Sequence, residues 1–385
     1  PPVPGAGAAP ASLKVQPAEA TTAAARAMIL SSARAGKRIV AVGNHGIVLL
    51  SDTDGADFRQ AKSVPVRSTL TAVTFVDEKT GWAAGQWGVV LRTDDAGESW
   101  TRQRHDTSVD QPLFSVWFRD RQRGYAVGLW SLLIATVDGG KTWTQVTLPP
   151  PTGRKKADRN LLKIFANRMG TLFVAAEQGM ILKSYDGEHW SYISTGYKGT
   201  FWTGIVLNNG TLLVGGLRGT IYRSTDDGRS WKEAKSAFKS SITDFAEAGG
   251  KVYAAGLDGV FLESDDHGAT FRGSQREDRL PFTAISVNSS GKLVKFSKQG
   301  VVAGIASERI VARTTFQVIV SVASGERILS LAAIQAIGVV PALQGIAPAR
   351  YPAWTAATRA GLGRLGVATT GLAPAAVYAA LAACH

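Results

Sequence analysis

One short phrase returns six times along this chain, and no other feature limits the fold as strongly. A Ser or Thr is followed by an acidic residue, a Gly and a closing aromatic, at Ser51 to Phe58, Thr93 to Trp100, Thr136 to Trp143, Ser184 to Trp190, Ser224 to Trp231 and Ser264 to Phe271. The closing aromatics are 42, 43, 47, 41 and 40 residues apart. That period is the length of one four-stranded propeller blade and too long for a leucine-rich repeat.

Each copy sits in the same local pattern. In the second, Leu70 to Phe75 alternates as a half-buried strand, a turn follows at Asp77 to Gly81, and Trp82 to Gly85 starts a second strand. The stretch from Gly85 to Gly88 then turns into Val89 to Arg92, and the repeated phrase turns into a fourth strand. The predicted fold is all-β, a propeller built of such blades.

The phrase itself has a mechanical reading. A short Asp side chain accepts hydrogen bonds from amides of its own turn, Gly supplies positive φ, and the aromatic packs between neighbouring sheets. Asp95, Asp138, Asp186, Asp226 and Asp266 are therefore read as turn staples, with Trp100, Trp143, Trp190, Trp231 and Phe271 as their seam fillers. Catalytic carboxylates at one per blade would be spread round the ring. The first copy carries Thr53 in place of Asp, and its turn is expected to be the least well tied.

This phrase is the Asp-box, or BNR, repeat. The runs LTAVTFVDEKTGWAAGQWGVVLRTDDAGESW and FSVWFRDRQRGYAVGLWSLLIATVDGGKTW resemble the photosystem II stability/assembly factor family of BNR propellers, and Ala33 to Gly43 is similar to the first blade of its bacterial members. The resemblance covers roughly residues 28 to 302. It implies seven blades and export to a thylakoid lumen or periplasm. It also implies a non-catalytic role as an assembly or stability factor for membrane-protein intermediates. Relatives in non-photosynthetic hosts, often encoded beside transporters of the resistance-nodulation-division class, suggest a transporter-associated client there.

Six boxes leave a seventh blade to find. Phe282 to Val287, Lys292 to Phe296 and the turn Ser297 to Gly300 supply its beginning, and the pattern stops after Val302, so the last blade is expected to be incomplete and the ring less stable. The chain thus divides into a flexible leader at 1–26, a propeller at 27–302 and an Ala/Arg-rich tail at 303–385. From Val301 onward there is no Lys and no Asp. A small helical domain, a membrane-associating stretch around Ile328 to Val340 and a shifted reading frame all compete for the tail. The joint loss of Lys and Asp fits the last best, and the apolar run is shorter than the ~20 residues of a spanning helix. Ala23 to Ala35 reads as either a short helix or a ring-closing outer strand.

Composition narrows the function. One cysteine, Cys384, excludes an internal disulfide framework, and five histidines without zinc-protease spacing leave no metal site to expect. No cofactor is expected. The net charge of +13 is spread over the repeats without a nucleic-acid-binding signature, so nucleic acid is not expected as a partner. A basic exported protein is also drawn to anionic membrane surfaces, which makes peripheral membrane contact an expectation. A monomer is expected.

Propeller connectivity orders the loops. The turns between second and third strands, and the connections between blades, share one face opposite the boxes. The turns carry Asn44/His45, Gln86/Trp87, Leu129/Trp130, Glu177/Gln178, Leu217/Arg218, Leu257/Asp258 and Lys298/Gln299. The connections add Arg104, Arg154, Lys155, Lys156, Lys198, Trp202 and Arg279. With Trp87, Trp130 and Arg218 they form the candidate partner-binding set, basic and aromatic, suited to an acidic loop or extended peptide of a membrane-protein client. The rival reading is a sialidase-like glycoside hydrolase or carbohydrate-binding propeller. Its Arg-Leu-Pro motif appears here at Arg279 to Pro281, after the sixth box rather than ahead of the first, and the spare carboxylates are Glu177, Glu247 and Asp258. Convergence of Arg104, Arg218 and Arg279 on the ring axis would favour that reading.

Overall fold

The computed structural model describes residues 16–302, and beyond them only the backbone of three two-residue strands. Seven sheets follow one another along the chain. The first contains Ile29–Ala35, Arg38–Gly43, Val48–Ser51 and Arg59–Gln60, paired antiparallel in sequence order. The same order recurs from Leu70, Leu113, Leu161, Phe201 and Ile242, and the seventh sheet has Phe282–Val287, Leu293–Ser297 and Gly300–Val302. The first strand of each blade packs against the first strands of both neighbours, and that of blade one meets that of blade seven, which closes the ring. The architecture is a seven-bladed propeller, with three strands of the seventh blade among the described residues.

The rest of the chain divides off from the ring. Residues 274–278 and 306–385 fall outside the ring unit; among the described residues there, Ile310–Val311 pairs antiparallel with Gln275 and Arg276 and Val320–Ser321 pairs with Ile328–Leu329. Beyond Ile328–Leu329, the expected membrane-associating stretch lies outside the described residues, as does most of the tail. No helix among the described residues is long and apolar enough to cross a membrane.

Apolar alternation explains the blades. In blade two Leu70 and Val73 join Val40, Val42 and Leu50 of blade one and Trp100 of the second box in one buried cluster. Ala72, Trp82, Ala84 and Val90 join blade three in another. The two faces of one sheet therefore serve two seams. At the closure, Ile29, Ile39 and Leu49 of blade one pack with Ala284, Val294 and Phe296 of blade seven.

Part of the expected leader is fastened to the ring. The Ala18 amide donates to the Val64 carbonyl (3.0 Å), the Gln60 side chain donates to the Glu19 carbonyl (2.8 Å), and Glu19 pairs with Arg67 (2.6 Å). Ala24–Arg26 forms one 3-10 turn and Ile29–Ala35 is an innermost strand rather than an outer one. The physical reason is burial, since Ile29 and Ala24 are needed in the cluster that joins blades one and seven.

The boxes show how the phrase works. In the second, an Asp95 oxygen accepts from the Ser99 amide (2.9 Å), its partner oxygen from the Ser99 hydroxyl (2.5 Å), and Thr93 accepts from the Gly97 amide (2.9 Å). Trp100 returns its indole N–H to the Gly97 carbonyl (2.9 Å). The third, fifth and sixth boxes repeat the carboxylate bonds through Asp138, Asp226 and Asp266, and the fourth does so with His189 bonded to Asp186 (2.7 Å). Trp190 and Trp231 donate as Trp100 does, whereas the indole nitrogen of Trp143 is buried without a partner. Phe271 fills its seam at the same position without a polar tip.

The first box departs from the expectation. Thr53 still accepts from the Asp57 amide (2.8 Å), and Asp54 accepts from the Ser289 amide (2.7 Å) and hydroxyl (2.6 Å) of blade seven, as Asp227 of the fifth box accepts from Asn167 (2.7 Å) and Lys183 (2.9 Å) of blade four. The box is weaker within itself and is held from blade seven instead.

The boxes make the ring acid-sensitive. Burial works against ionisation of Asp266, but the Thr270 hydroxyl and amide outweigh it and hold its pKa at about 2. Asp77 lies at about 2 for the same balance, with Arg121 as the main opposing partner. Asp138, Asp186 and Asp226 are lowered by their partners Thr142, His189 and Ser230. A carboxyl depressed in the folded state stabilises fully above its unfolded pKa of 3.8, and loses that contribution as pH falls toward its folded value. The thermal midpoint is therefore expected to drop between about pH 4 and pH 2, measured by circular dichroism. A midpoint unchanged across that interval would show that the boxes do not carry this linkage.

Candidate functional site: the turn face

The turn face is built on one repeated backbone device. Between second and third strands, blades one to six each make a single 3-10 turn whose central residue has positive φ: His45 (54°), Trp87 (58°), Trp130 (54°), Gln178 (56°), Arg218 (58°) and Asp258 (54°). Left-handed backbone disfavours side chains, and residues held there against that cost concentrate at functional positions. Five of these six are exposed, Trp130 by 59%, and Trp87 is half-buried. The seventh turn differs. Ser297 pairs directly with Gly300, so Lys298 and Gln299 form a two-residue turn whose positive φ falls on Gly300.

The turns are tied to the connections beside them. Arg104, predicted as a loop contact, ends the outer strand of blade two, donates to the Gly88 carbonyl (2.7 Å) and pairs with Asp106 (3.2 Å). The Asp106 amide donates to the Trp87 carbonyl (2.9 Å). Arg104 and Asp106 thereby clamp the turn that presents Trp87. In blade three the Trp130 amide donates to the Asn160 side chain (2.9 Å), and the Arg159 carbonyl accepts from the amide (2.8 Å) and hydroxyl (2.9 Å) of Ser131. Glu177 in turn accepts from the Asn160 amide and side chain, both at 2.9 Å. Asp106, Ser131 and Asn160 escape a reading of charge and aromaticity, because their work is on the backbone of a neighbouring loop.

The basic residues remain outward. Lys155, Lys156, Lys198, Arg218 and Arg279 are exposed, and their side chains make no ion pair or hydrogen bond among the described residues. Arg154 lies 3.8 Å from Asp158. Trp202 is the second residue of the inner strand Phe201–Val206 rather than part of a connection, and it is half-buried at the end of the ring axis on this face. Arg104 is committed to Gly88 and Asp106 as above, and Arg218 stands exposed at the tip of its turn. Glu177 lies on this face, whereas Glu247, in the strand Ile242–Ala248 before the opposite loop, accepts from the Asn208 amide (2.7 Å). Those two carboxylates cannot flank one bond. No group of three or more His, Cys, Asp or Glu among the described residues could hold a metal.

On the opposite face, a cleft of about 320 Å³ between blades two and three is lined by Arg92, Asp94, Gln103, Gln122, Asp138 and Lys141. Most of its charges are already paired, since Arg92 holds Asp94 (2.8 Å) and Asp138 holds its own box, while Lys141 is exposed.

Ring and face together define a seven-bladed Asp-box propeller that displays side chains from strained turns on one side. The family model described as photosynthesis system II assembly factor YCF48 matches residues 54–194 and 94–242. A solved structure titled "YCF48 bound to D1 peptide" is 18% identical with TM-score 0.60, over 75% of this chain and 96% of that one. YCF48 from Cyanidioschyzon merolae is 15% identical with TM-score 0.58, over 74% and 96%. At such identities the structural likeness shows the fold. No curated protein matches the chain significantly in sequence. The chain is a photosystem II assembly factor-like BNR propeller.

Proposed function

We propose that the protein is a non-catalytic assembly or stability factor, which holds an extended acidic segment of a membrane-protein client on its turn face. The observation that carries this reading is the set of six turn tips where a non-glycine residue sits at positive φ on one face, two of them tryptophans. A rigid ring spends backbone strain there to present side chains, and Trp and Arg are the usual anchors of interfaces. The structural relative titled as bound to a D1 peptide supports a peptide-like ligand. The client would be an assembly intermediate in a photosynthetic host, and in another host a transporter-associated membrane protein met in the periplasm.

Charge reversal tests the reading. Replacing Arg154, Lys155 and Lys156 together by Glu is expected to lower capture of the client from detergent-solubilised host membranes about 10-fold at low salt, with a weaker effect at high salt. Capture equal to the unaltered protein at low salt would overturn the charge-based contact.

A further inference from the structure

The seven inner strands share an irregularity that no turn or box explains. Each bulges at its second residue on the turn-face end, at Leu30, Thr71, Phe114, Leu162, Trp202, Thr243 and Thr283. All seven are partly exposed, so they form the rim of the axial channel. Two threonines are spent on the ring: Thr71 donates to the Leu113 carbonyl (2.7 Å) and Thr243 to the Phe282 carbonyl (3.0 Å), each in the next blade. Blades three, four and five instead carry Phe114, Leu162 and Trp202 at this position, three large apolar residues on consecutive blades.

The next residue inward completes a site. Ser31, Ser115 and Asp244 occupy that position in blades one, three and six, and each accepts from an amide of the following blade, at Val73 (3.3 Å), Ile164 (3.2 Å) and Ile285 (3.0 Å). In blade four the position is Lys163, half-buried, with no hydrogen bond or ion pair among the described residues. Burial pushes the Asp244 carboxyl up, and the Lys163 charge opposes that shift. Lys163 thus projects a charge that acts on Asp244 across the ring but is bonded to no anion among the described residues, and so is free to take one.

We infer that the channel mouth receives one large apolar side chain of the client segment between Phe114, Leu162 and Trp202, while an adjacent Asp or Glu of that segment pairs with Lys163. This rests on the turn face being the client face, and it adds the order of chemistry that the segment must carry: an apolar residue beside an acidic one. Nearby exposed cations draw the segment in, and the apolar plug and the buried pair set its register.

The test uses the full chain and a blocked fluorescent hexapeptide with Leu flanked by two Asp, read by anisotropy, with thermal midpoints checking that the variants fold. Binding is expected to weaken about 10-fold in Trp202→Ala and in Lys163→Gln, to recover in Lys163→Arg, and to be lost when the peptide Leu becomes Ser. Folded Lys163 and Trp202 variants that bind as tightly as the unaltered protein would overturn the inference, as would absence of binding by the unaltered protein. The client reading would then still stand if membrane capture remained sensitive to Arg154, Lys155 and Lys156. Loss of both responses would remove both.

Discussion

Replacing Trp82 by alanine is expected to destabilise the ring by about 3 to 5 kcal/mol, the usual cost of emptying an aromatic from a closed core. Trp82 is fully buried in the second strand of blade two. Its ring stacks on Phe118 of blade three, with centroids 3.5 Å apart and planes 6° from parallel, and Phe118 meets Trp143 edge-on at 5.9 Å. The indole N–H donates to the Gly139 carbonyl in the third box (3.0 Å), and Arg92 lies over the ring at 5.4 Å. One side chain thus joins a strand, a neighbouring strand and a box. Trp82→Phe keeps the stack and leaves Gly139 bonded to Arg92 (3.2 Å), so it should cost only about 1 kcal/mol. Urea unfolding of both variants checks this, and equal midpoints would show that the stack contributes little.

The second large effect comes from a position where a side chain has no room. Gly85 ends the second strand of blade two, and a Cβ there would lie 2.1 Å from the Thr69 carbonyl oxygen. The obstacle is backbone, which a rotamer change cannot clear, so Gly85→Ala is expected to lose about 3 kcal/mol or to shift the entry of the inner strand. Gly43, Gly128 and Gly216 face carbonyl oxygens of Met28, Pro112 and Thr200 at 1.9 to 2.1 Å in the same way. Blade four supplies the control, because Ala176 occupies that place fully buried. Ala176→Gly should cost no more than about 1 kcal/mol, the entropic term for glycine. If both substitutions proved mild, the close approach would not be what retains glycine.

The sequence was legible where its chemistry is local. A box closes within eight residues, so Asp95, Gly97 and Trp100 state their roles in the string itself, and six repetitions at a constant period leave few folds other than a ring of blades. The turn face was legible too, because antiparallel connectivity alone assigns every second connection to one side. Which residues are spent there was not. Arg104 reads as a free cation beside His105, and only the fold brings the Gly88 carbonyl within 2.7 Å of it. Trp202 reads as the end of a loop, but burial of Phe201 draws it into an inner strand and onto the axis.

Ring closure shows the same division most clearly. Periodicity counts the blades and finds the last one short of a box, and from that count alone the ring should lack part of its closure. The closing contacts lie more than 230 residues apart, between Asp54 and Ser289 and between Arg34 and the Val287 carbonyl (3.3 Å). Neither pair follows from a pattern, since the first box lacks its staple and Arg34 sits in a segment that reads equally as helix or strand. Short-range hydrogen bonds are written in adjacent letters, and so the sequence by itself determined the blades and their boxes. Burial of Ile29 against Phe296 and the meeting of the first and last sheets depend on the summed curvature of seven blades, and only the tertiary structure decided them.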